Sequence, residues 1–226
     1  MTTDGIDDVD YIHAFMTQRP IDFSTSALVI IDMQNATGSR DGALGRRMAK
    51  ERSNATAYRF DRIENFVVPN TKKMLEGFRA KGGGILHVTL GAARPDFADA
   101  PPHMRKMFQE TQNFVGSPEH EIVDGLEPID GEFRLRKTSI GAFASTGIDH
   151  LMRSMGWESL FMAGVSTNMC VETTAREAAD RGYNVTLMED ACGSTREELH
   201  DGTMTNFQRL FGRVRSTAEA SAELGL

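Results

Sequence analysis

Cysteine is scarce in this sequence: its 226 residues contain two, Cys170 and Cys192. So few thiols exclude a secreted disulfide framework and fit a reducing compartment, which makes the cytoplasm the expected location. Long apolar runs are missing too, none approaching the roughly 20 residues of a membrane helix. The N-terminus MTTDGIDDVDYIHAF lacks the basic and then apolar pattern of a signal peptide. No membrane partner is expected. Basic charge is in deficit, with 25 Lys+Arg against 32 Asp+Glu and a formal net charge of −7, and no basic block interrupts it, so no nucleic-acid partner is expected either. The dinucleotide G-x-G-x-x-G, the phosphate-cradling G-x-x-x-x-G-K-[ST] and the serine-hydrolase G-x-S-x-G are all absent. His13, His87, His103, His120, His150 and His200 show no H-x-x-x-H spacing, so neither a metal site nor a cofactor is expected.

What remains is the composition of one ordinary globular domain, since 40% hydrophobic and 25% charged residues with only 7 Pro match neither a disordered nor a fibrous chain. Residues 1–24, polar and acidic with a short helix expected around Asp10–Met16, form an arm ahead of a domain spanning 25–226. Ala27–Ile31 is a continuous apolar run, the pattern of a parallel strand covered on both faces. Asn35–Tyr58 reads as a long loop carrying a helical turn. A helix is expected from Ile63 to Ala80, with Pro69 as an alternative start. Gly84–Leu90 is a second strand, followed by a proline-rich connection. Phe133, Leu135 and Lys137 alternate with Arg134 and Arg136 as a third strand. A helix around Ile148, Leu151, Met152 and Met155, capped by Ser145 or Thr146, precedes a fourth strand at Leu160–Ala163. Asn168–Arg181 is helical, Asn184–Met188 is a fifth strand, and Ser194 with Glu197 has capping-box spacing for a helix to Leu210. Gly212–Ser216 is a candidate edge strand. Strands alternating with helices predict a three-layer α/β fold: a doubly wound, mostly parallel sheet with helices on both faces.

In such sheets the ligand crevice lies at the carboxyl ends of the strands. Asp32 ends the first strand, Lys137 ends the third on its apolar side, and Cys170 lies in the first turn of the helix after the fourth. A thiol at a helix N-terminus feels the positive end of the dipole, which predicts a lowered pKa, and the same turn offers unpaired N–H groups to an oxyanion. The bland alternatives are a core thiol, a turn-capping aspartate and a solvated lysine. If Asp32 and Lys137 share a partly buried crevice, each needs the other's charge. An Asp–Lys pair beside a thiol is a nucleophile with its base. Arg94, Phe97, Phe143 and Asn168 are candidates for lining the pocket.

ALVIIDMQN at 27–35, LRKTSIGAF at 135–143 and MAGVSTNMCVETTAREAADRGYNVTLMEDACGS at 162–194 carry a resemblance to the isochorismatase-like cysteine hydrolases over about residues 25–215. The most specific signal is G-x-x-T-x-x-C-V at 164–171. The resemblance implies an Asp–Lys–Cys triad at Asp32, Lys137 and Cys170. It also implies an oxyanion hole from the N–H groups of Ser166 and Cys170, a cis peptide between Val165 and Ser166, and a homo-oligomer, dimer or tetramer. The Asp-x-His metal motif of nicotinamidases is missing from HVTLGAARPD at 87–96, and isochorismatases do not need the thiol. GAARPDFADAPPHMRK at 91–106 is similar to the R-P-D-x-A-D segment of biuret hydrolases, in which a glutamine near the register of Gln208 binds substrate. The expectation is therefore a cysteine-dependent hydrolase of a small linear amide or ureide, working through a thioester. The alternatives are an isochorismatase-type vinyl-ether hydrolase and a non-catalytic α/β binding or redox-responsive protein.

Overall fold

The computed structural model describes Ile12 and residues 15–226 of the chain, so most of the short helix expected around Asp10–Met16 lies outside the described residues. The first strand, β1 (Ser26–Ile31), is buried along its whole length. Its residues divide between two cores. Ala27, Val29 and Ile31 face one hydrophobic cluster, while Leu28 and Ile30 face the other, as the period-two alternation of a strand requires. This explains why β1 reads as an unbroken apolar run: both faces are dry.

After β1 the chain forms α1 (Asn35–Gly38), α2 (Ala43–Lys50) and α3 (Ala57–Arg62), so the segment expected as a loop with one helical turn is largely helical. A single π-helical stretch at Ile63–Val67 then joins α3 to α4 (Val68–Ala80). The helix therefore begins ahead of both expected starts. The Val68 N–H reaches back five residues to Ile63 O. This wider turn carries the chain past Pro69, whose ring would strike the Asn65 carbonyl in a regular helix.

β2 (Gly84–Leu90) leads into the long connection, where Pro101 and Pro102 mark a helix start rather than a loop: α5 (Pro102–Thr111) buries Met104 and Phe108. Proline is tolerated in a first turn because its missing N–H has no partner there anyway. β3 (Phe133–Lys137) follows, then α6 (Ile148–Ser154). Gly147 holds the N-cap position of α6, the Thr146 hydroxyl accepts from the Ile148 N–H at 3.1 Å, and Met155 falls past the helix end, 46% exposed. β4 (Ser159–Val165) passes through a π-helical turn at Thr167–Val171 into α7 (Glu172–Asp180).

β5 (Asn184–Gly193) runs twice as far as its apolar stretch suggests, and α8 (Glu197–Leu210) follows it. The expected capping box at Ser194 and Glu197 does not form. Arg196 is the N-cap, without a side-chain bond, because the Ser194 hydroxyl donates to Asn168 Oδ1 at 2.5 Å. The chain closes with β6 (Arg213–Arg215) and α9 (Thr217–Leu224), whose capping box pairs Ser216 with Glu219.

The six strands form one sheet in the order β3-β2-β1-β4-β5-β6, and every pairing is parallel. One face packs on α5, α6, α7 and α8, the other on α3, α4 and α9. The fold is thus the three-layer doubly wound α/β architecture. The chain winds outward from β1 through β2 to β3, then restarts on the other side at β4. The switch point therefore lies between the carboxyl ends of β1 and β4, where such sheets open a crevice. Gly164 permits the close approach of these strands: it sits at φ +120°, and a Cβ there would lie 2.0 Å from the Ile31 carbonyl oxygen.

Candidate active site

Asp32 is the residue on which β1 turns away from the sheet. Its backbone sits in the left-handed region at φ 55°, a conformation aspartate tolerates better than most residues, with its N–H bonded to Val88 O at 2.9 Å. Lys137 ends β3, two strands away, in register with Leu90 of β2. Two strand spacings are roughly 9–10 Å. A long side chain can bridge that gap, and the Lys137 Nζ reaches Asp32 Oδ2 at 2.9 Å and Ser139 O at 3.1 Å, wholly buried. Asp32 Oδ1, by contrast, is buried without a hydrogen-bond partner.

Cys170 lies in the π-helical turn after β4 and is 5% exposed. Burial pushes its thiol up to about 12, the Asp32 carboxylate adding to the effect and Lys137 opposing it. The lowered pKa expected from the helix dipole is therefore overturned, because desolvation and a neighbouring carboxylate outweigh partial charges at a helix end. Burial also raises Asp32 above the ordinary carboxylate value, against the pull of the Lys137 ammonium. Burial works against Lys137 as well, yet the Asp32 and Cys170 charges hold its pKa above the ordinary lysine value. The two partners of the buried pair therefore depend on each other's charge, beside a thiol that stays protonated at neutral pH.

Asp32 and Cys170, though not Lys137, line a cavity of about 160 Å³ that is also lined by Gln34, Arg59 and Ser166, with Leu44, Met104 and Ile140 among its apolar walls. The Val165–Ser166 peptide is cis. Ser166 lines the cavity, and its N–H has no hydrogen-bond acceptor among the described residues. A larger depression of about 560 Å³ lies between Phe23, Gly84 and Trp157, at the opposite end of the strands from these groups.

Sequence reasoning missed three contributors. Gln34, two residues after Asp32, is buried: its Nε2 donates to His120 O at 2.9 Å and its Oε1 accepts from the Leu90 N–H at 2.7 Å, fixing the loop after β2 against β1. Asn113 lines the same cavity, its Oδ1 lying 2.8 Å from His120 Nδ1. Burial pushes His120 down to about 4, so that ring is a neutral hydrogen-bonding strut. Arg59 lies on α3, just past the segment Asn35–Tyr58 expected as a loop, and is 4% exposed, with its Nε donating to Thr37 O at 2.9 Å and its Nη1 to Ser166 Oγ at 2.6 Å. The D-x-Q spacing at 32–34 is a usable signal for Gln34; nothing local marks Arg59.

The five residues suggested for the pocket wall are not among those lining this cavity. Arg94 points into solvent and pairs with Asp96 at 2.7 Å. Phe97 is buried edge-on against Phe114. Phe143 packs on Tyr183 with the Arg181 guanidinium over its ring. Asn168 is engaged by Ser194, and Gln208 stands exposed on α8. A neighbour close in the fold engages the side chain of Arg94, Phe97, Phe143 and Asn168, and α8 turns Gln208 outward. Among the described residues no three His, Cys, Asp or Glu side chains gather as metal ligands.

A doubly wound parallel sheet with a carboxylate, a lysine and a thiol gathered at its switch point defines an α/β protein with a buried thiol and an ion pair beside a pocket. The isochorismatase domain model matches residues 26–219. The isochorismatase family protein YwoC of Bacillus subtilis is 31% identical over 205 residues, 90% of this chain and 96% of that protein. The ureidoacrylate amidohydrolase RutB of Caulobacter segnis is 28% identical over 91% of this chain and 88% of its own length. The crystal structure of an isochorismatase family protein from Desulfovibrio vulgaris superposes with a TM-score of 0.73 at 28% identity, covering 88% of this chain and 97% of that one. The chain belongs to the isochorismatase family of hydrolases.

Proposed function

We propose that this protein hydrolyses a C–N bond of a small linear amide or ureide, with Cys170 as nucleophile. The observation that carries the reading is the state of Asp32: one oxygen is fixed by Lys137, the other is buried without a hydrogen-bond partner, and the carboxylate interacts with the Cys170 thiol. A desolvated carboxylate oxygen with no other proton to bind is a general base awaiting one. The proton of the Cys170 thiol passes to Asp32 Oδ1 as sulfur attacks the substrate carbonyl. The S–C bond forms, and the negative charge moves to the carbonyl oxygen, received by the N–H groups of Ser166 and Cys170. Asp32 then protonates the departing nitrogen, the C–N bond breaks, and ammonia or an amine leaves an acyl group on sulfur. Water, giving a proton to Asp32, attacks that thioester; the acid departs and the thiol recovers its proton.

Lys137 keeps Asp32 oriented and charged through this cycle as a positioning residue. A thiol with a pKa near 12 reacts poorly by itself, so activation belongs to the moment of attack. The kinship with a ureidoacrylate amidohydrolase supports C–N chemistry over vinyl-ether cleavage. The reading is tested by assaying ammonia release across small amides, ureides and carbamoyl compounds, with intact-mass analysis of enzyme quenched during turnover. An acyl adduct on Cys170 is expected. Turnover of an isochorismate-like vinyl ether without any adduct refutes it.

A further inference from the structure

The charges in the cavity do not balance. Lys137 and Asp32 cancel, and Cys170 rests neutral, but Arg59 remains. Its guanidinium is 4% exposed and lines the cavity, while its partners, the Thr37 carbonyl and the Ser166 hydroxyl, are both uncharged. No carboxylate among the described residues lies within ion-pair distance of it, and its Nη2 donates to none of them. Arg40, Arg47, Arg79, Arg136, Arg153 and Arg176 each hold a carboxylate, whereas Arg213, also buried, is held by Asn184 Oδ1 and the Arg19 carbonyl away from the cavity. Of the two buried arginines without a carboxylate, Arg59 is the one that lines the cavity, and a buried charge there is costly to leave unpaired.

We infer that Arg59 binds an anionic group of the substrate, and that this protein acts on a short acid carrying a carboxylate a few bonds from the amide or ureide carbonyl. The guanidinium fork matches a carboxylate in shape, and Arg59 lines the space a substrate would occupy. It holds its proton there: burial lowers the pKa only to about 10, with Cys170 and Asp32 working the other way. The Arg59–Ser166 bond gives the anchor a fixed place, because Ser166 also supplies an N–H to the reacting carbonyl oxygen. A carboxylate on Arg59 and a carbonyl at Ser166 thus register one small molecule against Cys170. The apolar walls contributed by Leu44, Met104 and Ile140 suit the hydrocarbon between the two polar ends.

The inference rests on the hydrolase reading for the reaction, though not for binding, and the test separates them. Matched probes are 3-ureidopropionate and its neutral primary amide, with ureidoacetate, 4-ureidobutyrate and their amides as a length series. The full-length protein is assayed at neutral pH for ammonia release, and binding is followed by calorimetry. The expected result is tighter binding and higher kcat/KM for at least one acid than for its amide, by roughly thirtyfold or more, expressed mainly in KM. Arg59→Gln should bring that acid-to-amide ratio towards one, and Arg59→Lys, which keeps the charge without the fork, should retain part of it. If Arg59→Gln fails to fold, the wild-type ratio and the Arg59→Lys ratio still decide. Equal handling of acid and amide by the wild type overturns the anchor and leaves the hydrolase reading standing. An acid that binds through Arg59 but releases no ammonia supports the anchor and counts against the hydrolase reading. If none of the acids binds or turns over, the anchor is wrong.

Discussion

Lys137→Met removes the ammonium from a pair in which neither partner sees solvent, leaving Asp32 with a buried charge or a proton it does not ordinarily carry. Breaking such a pair costs about 3–5 kcal/mol. The ceiling follows from linkage: holding a proton at pH 8 on a group whose ordinary value is 3.8 costs about 1.4 kcal/mol for each of about four units, or about 6 kcal/mol. The sign is set by the direction of the shift. Burial already raises Asp32, and removing its largest opposing influence raises it further. The folded variant therefore binds a proton that the unfolded chain has released. Its relative stability is best at acid pH, below the ordinary carboxylate value, and declines as pH rises through the new Asp32 value.

Urea unfolding at pH 5 and pH 8 should show the deficit of Lys137→Met against wild type widening by up to about 1.4 kcal/mol per pH unit. At pH 8 the melting temperature should fall by roughly 6–20 °C for a domain of this size. The double variant Asp32→Asn/Lys137→Met carries no buried charge at either position and should recover much of the loss, without the pH dependence. In kinetics the pH–rate profile of Lys137→Met should move, because the base holds its proton to higher pH. A deficit below about 1 kcal/mol at pH 8, or one that does not change with pH, refutes the claim that Lys137 stabilises a charged Asp32.

Cys170→Ser should lose essentially all turnover while melting near wild type, since one atom changes and no large cavity forms; Cys192→Ser, at a thiol whose Sγ donates to the Met162 carbonyl at 3.6 Å, should stay active. The opposite pattern in an ammonia assay would unseat the nucleophile. In the free protein, alkylation of Cys170 by iodoacetamide should be slow at pH 7 and keep rising through pH 10, following a thiol pushed up to about 12, and a plateau below pH 8 would contradict the buried, carboxylate-opposed environment. Ser216→Ala removes the hydroxyl that accepts from the Glu219 N–H in the α9 capping box, leaving the Ser216 N–H bond to Glu219 Oε2, and should cost about 1 kcal/mol in urea unfolding with no effect on KM.

Local chemistry wrote much of this fold into the sequence. The apolar run at Ala27–Ile31, the alternation through Phe133–Lys137 and the glycines ending helices fix elements by burial and backbone freedom, which neighbouring residues decide. The positions of Asp32, Lys137 and Cys170 at element ends followed from the same patterns. Where local signals competed, tertiary partners settled them: Ser194 has capping-box spacing but is taken by Asn168, while the box that forms is Ser216 with Glu219. Other decisions have no local trace. Lys137 meets Asp32 only because the sheet order sets β2 between their strands, and the thiol is hard to ionise because the fold buries it beside the Asp32 carboxylate. Arg94, the most suggestive residue of its loop, turns to Asp96 and solvent, while Arg59, in a segment without periodicity, is carried by α3 into the cavity. Desolvation and long-range pairing depend on what the folded chain brings together, and one-dimensional spacing does not encode either.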